Sequence, residues 1–321
     1  MTQSSATPNG VIDVDFAPGN LGNKMLQYLA ALSLHERLPH FSLSNIRIGE
    51  WEIDIPRVPQ RPRRRLRYVS EKSVALDFDD IVDRVSRRGV DRIELEIYSS
   101  HVANLPPVER ARALFPPLPE VQGYGPDVLL VNVRASEILQ AVHPEYTVLP
   151  VAFYRDVVAR SGLRPVFLGQ LGEDSHYLRS LRAAFPQAEF VASRGALHDF
   201  SVLAKSRHLV MAVSTFSWLA GWLSTADSIV MPLSGFMNPL QYPHVDLMPR
   251  GDARFTYYLF PENHAVVDAE IEAAHRRIEG QWREVSYDEI AARRSTVPPV
   301  RPQSLLNKAH RRVRRLLHRL H

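Results

Sequence analysis

Ser214, Thr215 and Ser217 stand inside the stretch His208 to Leu233, HLVMAVSTFSWLAGWLSTADSIVMPL, just after a short apolar run that reads as a buried parallel strand. Hydroxyl residues there fall where a following helix begins. The free N–H groups of a helix start, with the positive end of its dipole, make an anion site, and phosphate is the commonest biological anion to fill one. An ordinary N-cap, in which the hydroxyls only satisfy orphan donors, is the alternative. A membrane span is excluded: Leu209 to Ala226 is eighteen residues without a charge, but hydroxyls interrupt its centre and SIVMPL follows as a second strand.

Other residues of suitable type sit at the ends of strand-like runs. Gly19, Asn20, Gly22 and Asn23 follow the strand VIDVDF and precede Met25, Leu26, Leu29, Ala30, Leu32 and Leu34 at near-helical spacing. That pattern gives a strand-to-helix loop in which glycines bring backbone close to phosphate or sugar, or serve turn geometry alone. Arg134 closes the buried-type strand PDVLLVNVR, and a guanidinium there can hold a diphosphate bidentately at any working pH. A surface arginine in a loop is the alternative. Gly169 and Gln170 end the strand RPVFLGQ. Glu137, three residues past Arg134, is a candidate proton acceptor, with Asp13 and Asp15 as weaker ones, and a solvated carboxylate is the competing reading. His143 and Tyr146 are near enough in sequence to shape such a site.

The elements that must position these groups follow from the alternation of strand and helix patterns. LPVAFYRDVVARSG, HYLRSLRAAFP and DFSVLAKS read as helices, the last capped by Asp199, and they separate the strands RPVFLGQL, AEFVAS and HLVMAV. This is the signature of a doubly wound parallel α/β sheet. DFDD at Asp77 to Asp80 reads as a helix start rather than a metal motif, because apolar residues continue at helical spacing and arginines gather at the far end. The segment from Arg57 to Arg67, with Arg61, Arg63, Arg64 and Arg65, reads as a solvated loop or an edge strand, or else as a surface for an anionic acceptor.

Length and composition bound the rest. A chain of 321 residues with 45% hydrophobic content supports two domains, and the Pro- and Gly-rich span 106–125 is the expected linker. The expected division is a disordered N-terminus at 1–10, an N-terminal Rossmann-like domain at 11–120, a C-terminal Rossmann-like domain at 126–265, a helical extension at 266–300 and a tail at 301–321. Cysteine is absent, so disulfides and thiolate metal sites are excluded. The N-terminus lacks the basic start and apolar core of a signal peptide, and a cytoplasmic protein is expected.

The net charge of +4 is uneven. Residues 301–321 hold seven Lys or Arg and no acid, leaving 32 bases against 35 acids elsewhere, a net of −3. Nucleic-acid binding by the body is therefore disfavoured. In the tail, Leu305, Ala309, Val313, Leu316, Leu317 and Leu320 share one helical face, with Arg311, Arg312, Arg315 and Arg319 mostly opposite. Such a helix suits adsorption to an anionic membrane surface, and docking on the protein's own body is the alternative.

GNLGNKMLQY at Gly19 to Tyr28 resembles the G-G-L-G-N-Q-M-F-Q-Y segment of bacterial α-1,2-fucosyltransferases, glycosyltransferase family 11. STFSWLAGWLS at Ser214 to Ser224 resembles their S-S-F-S-W-W-G-A-W-L segment, and VNVRASE at Val131 to Glu137 takes the place of their H-x-R-x-G-D strand end. The resemblance implies a GT-B fold, two Rossmann-like domains facing across a cleft, the first holding acceptor and the second nucleotide sugar. It implies an inverting transferase without metal or other cofactor, moving a hexose from a nucleotide diphosphate sugar, GDP-fucose first, onto a glycan or lipid-linked saccharide. Arg134 would hold the donor β-phosphate, with Ser214, Thr215, Ser217 and the Gly19–Asn23 loop adding donors against the charge that builds on the leaving diphosphate. The departures lie at Asn132 for the family's His, Ala135 for its second Arg, Ser136 and Glu137 for its Gly-Asp and Asn20 for a Gly, and Gly169-Gln170 stands where related fucosyltransferases carry a Ser/Thr-Asp-Asp element. A non-catalytic nucleotide- or glycan-binding relative is the second reading.

Overall fold

The computed structural model describes residues 10–16, 20–59, 61–171 and 174–303. Gly19, the first nine residues and all of the tail from 304 lie outside them. The described residues divide into two units, one of residues 10–16, 24–99 and 298–303, the other of residues 20–23 and 100–297. Both are α/β, each built on a mostly parallel sheet, as the alternating pattern requires.

In the first unit the chain runs β1 (Gly10–Val14), α1 (Leu21–Arg37, whose first three residues belong to the second unit), β2 (Phe41–Ser44), β3 (Ile46–Ile48), β4 (Ile53–Ile55), β5 (Arg65–Ser73), α2 (Phe78–Arg88) and β6 (Arg92–Tyr98). Its sheet is wholly parallel in the order β2-β1-β6-β5, and β3 and β4 pair as a separate antiparallel hairpin. On β6 the alternation is plain: Ile93, Leu95 and Ile97 are buried, while Glu94 and Glu96 lie half-exposed on the other face. Register places Arg67, Glu94, Asp13 and Ser44 in one row across the four strands. The arginine-rich segment enters the edge strand β5, one of its two expected forms. The DFDD segment is a helix start: Asp77 caps α2 by accepting from the Asp80 N–H, Asp80 pairs with Arg84 and Asp79 with Arg37.

Along the second unit come α3 (Val108–Leu114), β7 (Val128–Val133), α4 (Val151–Ser161), β8 (Arg164–Gly169), α5 (His176–Ala184), β9 (Glu189–Ala192), α6 (Ala196–Lys205), β10 (His208–Val210), α7 (Thr215–Trp222), β11 (Ser228–Leu233), β12 (Phe255–Leu259), α8 (Ile271–Ile278), β13 (Arg283–Val285) and α9 (Tyr287–Arg293). The sheet order is β13-β12-β11-β10-β7-β8-β9, parallel except for β13. Phe153, fully buried, meets Tyr258, Phe260 and Trp282 edge-on within 5.0–5.7 Å and welds α4 to the β12 side of the core.

Several local expectations are corrected. The span 106–125 contains α3 and belongs to the second unit; its Gly123 is there for close packing, since a Cβ would fall 2.1 Å from the Lys205 carbonyl oxygen. Asp199 lies inside α6, not at its cap, and accepts from the Arg194 N–H one residue before Gly195 at the cap. The strand in HLVMAV ends at Val210, with the Met211 N–H still donating to the Val230 carbonyl at 3.0 Å, and Ala212 and Val213 form a buried approach to α7. Of the expected loop at Gly19 to Asn23, Leu21, Gly22 and Asn23 are instead the first residues of α1, and Gly19 lies outside the described residues.

Candidate functional site

The strand order of the second unit fixes where a ligand can sit. From β7 the chain passes through α4 to β8 on one side, whereas from β10 it passes through α7 to β11 on the other. Adjacent strands β7 and β10 thus flank a switch point, and the crevice beyond their carboxyl ends is where open α/β sheets take ligands.

The β7 side carries a bonded cluster. Arg134 donates from Nε and Nη2 to Glu137 Oε1 at 3.0 and 2.6 Å, and its guanidinium stacks 4.9 Å from the Tyr146 ring centroid. Glu137 accepts on its other oxygen from Gln170 Nε2 at 3.0 Å, and Gln170 Oε1 accepts from the Ala135 N–H at 2.9 Å. Partial burial pushes the Glu137 carboxyl upward, but the hydrogen bonds and charge of Arg134, with Gln170, outweigh it and hold the group below the ordinary carboxylate range. A carboxylate held so is a weak base and a firm anchor. Among the described residues no hydrogen-bond partner is found for Arg134 Nη1, which leaves that edge of the guanidinium for an anion. Asn132 is buried and spends its amide on the Leu168 carbonyl at 3.1 Å, tying β7 to β8. Gly169 has φ +135°, and a Cβ there would lie 2.2 Å from the Val133 carbonyl oxygen, so only glycine lets Gln170 turn toward Glu137.

The β10 side carries the hydroxyl turn. Ser214, in extended conformation, caps α7 by accepting from the Ser217 N–H, and Ser217 Oγ accepts from the Ala212 N–H at 3.0 Å. Thr215 Oγ1 donates to Asn23 Oδ1 at 2.9 Å. All three serine and threonine side chains are buried. Gly22 belongs to the same cluster: a Cβ on it would fall 2.5 Å from the Phe216 nitrogen. Asn20 contributes its carbonyl oxygen to the Asn23 N–H at 2.9 Å. At the other end of α7, Arg112 and Arg254 donate to the carbonyls of Trp222, Leu223 and Ser224, cations where the helix dipole is negative.

Sequence reasoning assigned no role to Ser234, Thr147 and Asn263. At the end of β11 they interlock: Thr147 Oγ1 lies 3.0 Å from Ser234 Oγ, and Asn263 Oδ1 accepts from the Gly235 N–H at 3.1 Å. Gly235 has φ +52° and sits where a Cβ would meet the Glu145 carbonyl oxygen at 2.5 Å. Phe236 then packs against Tyr146 with centroids 4.8 Å apart, supporting the ring under Arg134. The only sequence signal was position, just after the strand SIVMPL.

The first unit holds a separate cavity of about 210 Å³ lined wholly by ionisable side chains, Asp13, Asp15, Glu94 and Glu96 with Arg57, Arg65 and Arg67. Asp13 is buried, accepts from Ser44 Oγ at 2.8 Å and from Arg57 at 3.2 Å, and lies 3.6 Å from Arg92. Among the described residues no three acidic or histidine side chains gather as a metal cluster would, and no helix is long and apolar enough to cross a membrane.

No family model and no curated relative matches the chain. Solved structures similar to it include a glycosyl transferase family 9 protein from Veillonella parvula, at TM-score 0.44 and 10% identity over 90% of this chain and 97% of that one. The E. coli heptosyltransferase WaaC with ADP is similar at TM-score 0.38 and 12% identity, covering 83% and 97%. The dodecameric iron-containing heptosyltransferase TibC, in complex with ADP-D-beta-D-heptose, is similar at TM-score 0.39 and 11% identity, covering 89% and 76%.

Proposed function

We propose that the chain is a glycosyltransferase of GT-B type that moves a hexose from a nucleotide diphosphate sugar onto a glycan or lipid-linked saccharide. The observation that carries this reading is the strand order, which sets Arg134 and the Ser214 cap on the two sides of one switch point. Arg134 Nη1 would take a donor phosphate, with Glu137 and Tyr146 holding the guanidinium in place. The Thr215 N–H at the start of α7 would add a donor, while Ser214, Ser217, Gly22 and Asn23 keep that turn rigid. Charge building on the leaving diphosphate is thus stabilised by preorganised groups without calling on a metal. Inversion at the sugar, GDP-fucose as donor and the phosphate-facing role of Gly19 rest on the resemblance to family 11.

The ionisable cavity of the first unit suits a hydroxyl-rich acceptor, since carboxylates accept from sugar hydroxyls and guanidiniums donate to them. The basic tail is proposed to lie on an anionic membrane surface at the cytoplasmic face. A second reading, a nucleotide-binding relative without turnover, is favoured by one observation: Glu137, the carboxylate beside Arg134, is held as its counter-ion.

Thermal unfolding with GDP, UDP, dTDP and ADP tests donor binding, because a ligand held by the folded state raises its midpoint. Stabilisation by one of them, lost in Arg134→Ala, is expected; no shift with any of them overturns the reading. Release of nucleotide from the matching nucleotide sugar in the presence of acceptor separates the enzyme from the non-catalytic relative.

A further inference from the structure

We propose that the first unit carries its own basic docking surface for an anionic lipid bilayer, formed by Arg61, Arg63, Arg64 and Arg88. The proposal extends the membrane reading of the tail but stands on described residues. All four arginines are exposed. Asp91, the acid beside them, already accepts from the N–H groups of Arg63 and Arg64 at 2.9 and 3.1 Å. Arg64 Nη1 donates to the Arg88 carbonyl at 2.6 Å and so draws the loop before β5 onto the end of α2. Their neighbours are neutralised: Arg65 and Arg67 pair with Glu94 and Glu96, and Arg87 with Asp83. Among the described residues no carboxylate pairs with Arg61, Arg63, Arg64 or Arg88. The Arg88 carbonyl accounts for Arg64, and Arg88 sits where the α2 dipole is negative, but among the described residues no hydrogen bond or ion pair uses the side chain of Arg61 or Arg63.

The path of the C-terminal segment supplies a second observation. The Val300 N–H donates to the Ala75 carbonyl and the Gln303 N–H to the Arg67 carbonyl, so residues 300–303 run back along β5 toward its start. Arg64 is three residues from Arg67, roughly 10 Å along a strand. The sequence that follows, 304–321, has six Lys or Arg and no acid. Residues 300–303 thus lead the chain toward four guanidiniums that have no carboxylate partner among the described residues, and a concentration of one sign attracts an opposing anionic surface. Leu305, Leu306, Val313, Leu316, Leu317 and Leu320 favour a bilayer over nucleic acid, since they offer hydrocarbon for the interface and the arginines of the body are interleaved with proline and not with base-stacking aromatics.

Co-sedimentation with phosphatidylcholine vesicles, with and without about 30 mol% phosphatidylserine, reads the surface; each guanidinium near such a membrane contributes about fivefold in partitioning. The full chain and a chain lacking 304–321 are each compared with Gln and with Lys at the four arginines. Binding to phosphatidylserine vesicles is expected to survive truncation in weakened form, to vanish from the truncated Gln set, and to persist in the Lys set. In the full chain the Gln set should bind at least about a hundredfold more weakly. Should the fourfold Gln set fail to fold, Arg61→Gln with Arg63→Gln carries the test, with a loss of about twentyfold expected. Equal binding by the Gln variants and their parents overturns the surface and leaves the tail reading intact, whereas binding unchanged by truncation overturns the tail reading alone. Tighter arginine-dependent binding to a single-stranded oligonucleotide than to the vesicles overturns the bilayer in favour of nucleic acid.

Discussion

Gly22 and Phe216 are packed so closely that a methyl group on the glycine would lie 2.5 Å from the Phe216 backbone nitrogen. Alanine is the better helix former by about 1 kcal/mol, so an unobstructed Gly22→Ala would stabilise α1. The contact reverses the sign: Gly22→Ala is expected to lower stability by about 1–3 kcal/mol and to weaken nucleotide binding. Gly49, with open space around its Cα, is the control that should tolerate alanine. Chemical denaturation of both variants checks the pair.

Arg134 and Glu137 should separate on substitution. Removing the guanidinium in Arg134→Ala deletes charge-assisted hydrogen bonds worth about 1.5–3 kcal/mol, a loss of roughly 10- to 100-fold in affinity for the nucleotide diphosphate. Glu137→Gln leaves the cation free to wander and is expected to cost about tenfold or less. Titration calorimetry with the stabilising nucleotide measures both, and an equal loss in the two variants would instead point to Glu137 touching the ligand.

The two arginines closing α7 share the Ser224 carbonyl. Arg254→Met should cost about 1–3 kcal/mol, which lowers the unfolding midpoint by about 2–4 °C per kcal/mol in a unit of this size. The double variant with Arg112→Met should lose more than the sum, because either arginine alone still satisfies that carbonyl. Calorimetric midpoints of the cycle decide it.

His275 predicts the acid limb of stability. Its Nε2–H donates to the Val148 carbonyl at 3.2 Å, beside the Tyr177 ring, and burial lowers its pKa from the ordinary value to about 4, against the opposing pull of that hydrogen bond. A folded pKa below the unfolded one of ~6.5 gives stability that is present above pH ~6.5 and lost as the pH falls toward 4, on the order of 3 kcal/mol. His275→Gln, which keeps a donor, should flatten the unfolding midpoint over that interval.

How much of this was legible in the sequence depends on range. Strand ends at Arg134 and Gly169 and the helix start at Ser214 came through because each is a local change of hydrophobic period. The join of Asn23 to Thr215 did not, since the two meet only after a long stretch of chain has folded, whereas Tyr146, twelve residues from Arg134, was within reach of the sequence. Gly22 looked like a loop residue because glycine reports either turn or close approach, and only the neighbour tells which. Asp199 misled because a carboxylate near a helix start can serve the preceding turn as readily as the cap.

The strip of residues 300–303 along β5 bears on the order in which the protein matures. Gln303 follows Ser73, the end of β5, by 230 positions, so on the ribosome that strand edge stays open while the second unit is synthesised and folds. An open parallel edge invites foreign strands, and the exposed Arg61, Arg63 and Arg64 just before β5 put unneutralised charge at its entrance during the wait.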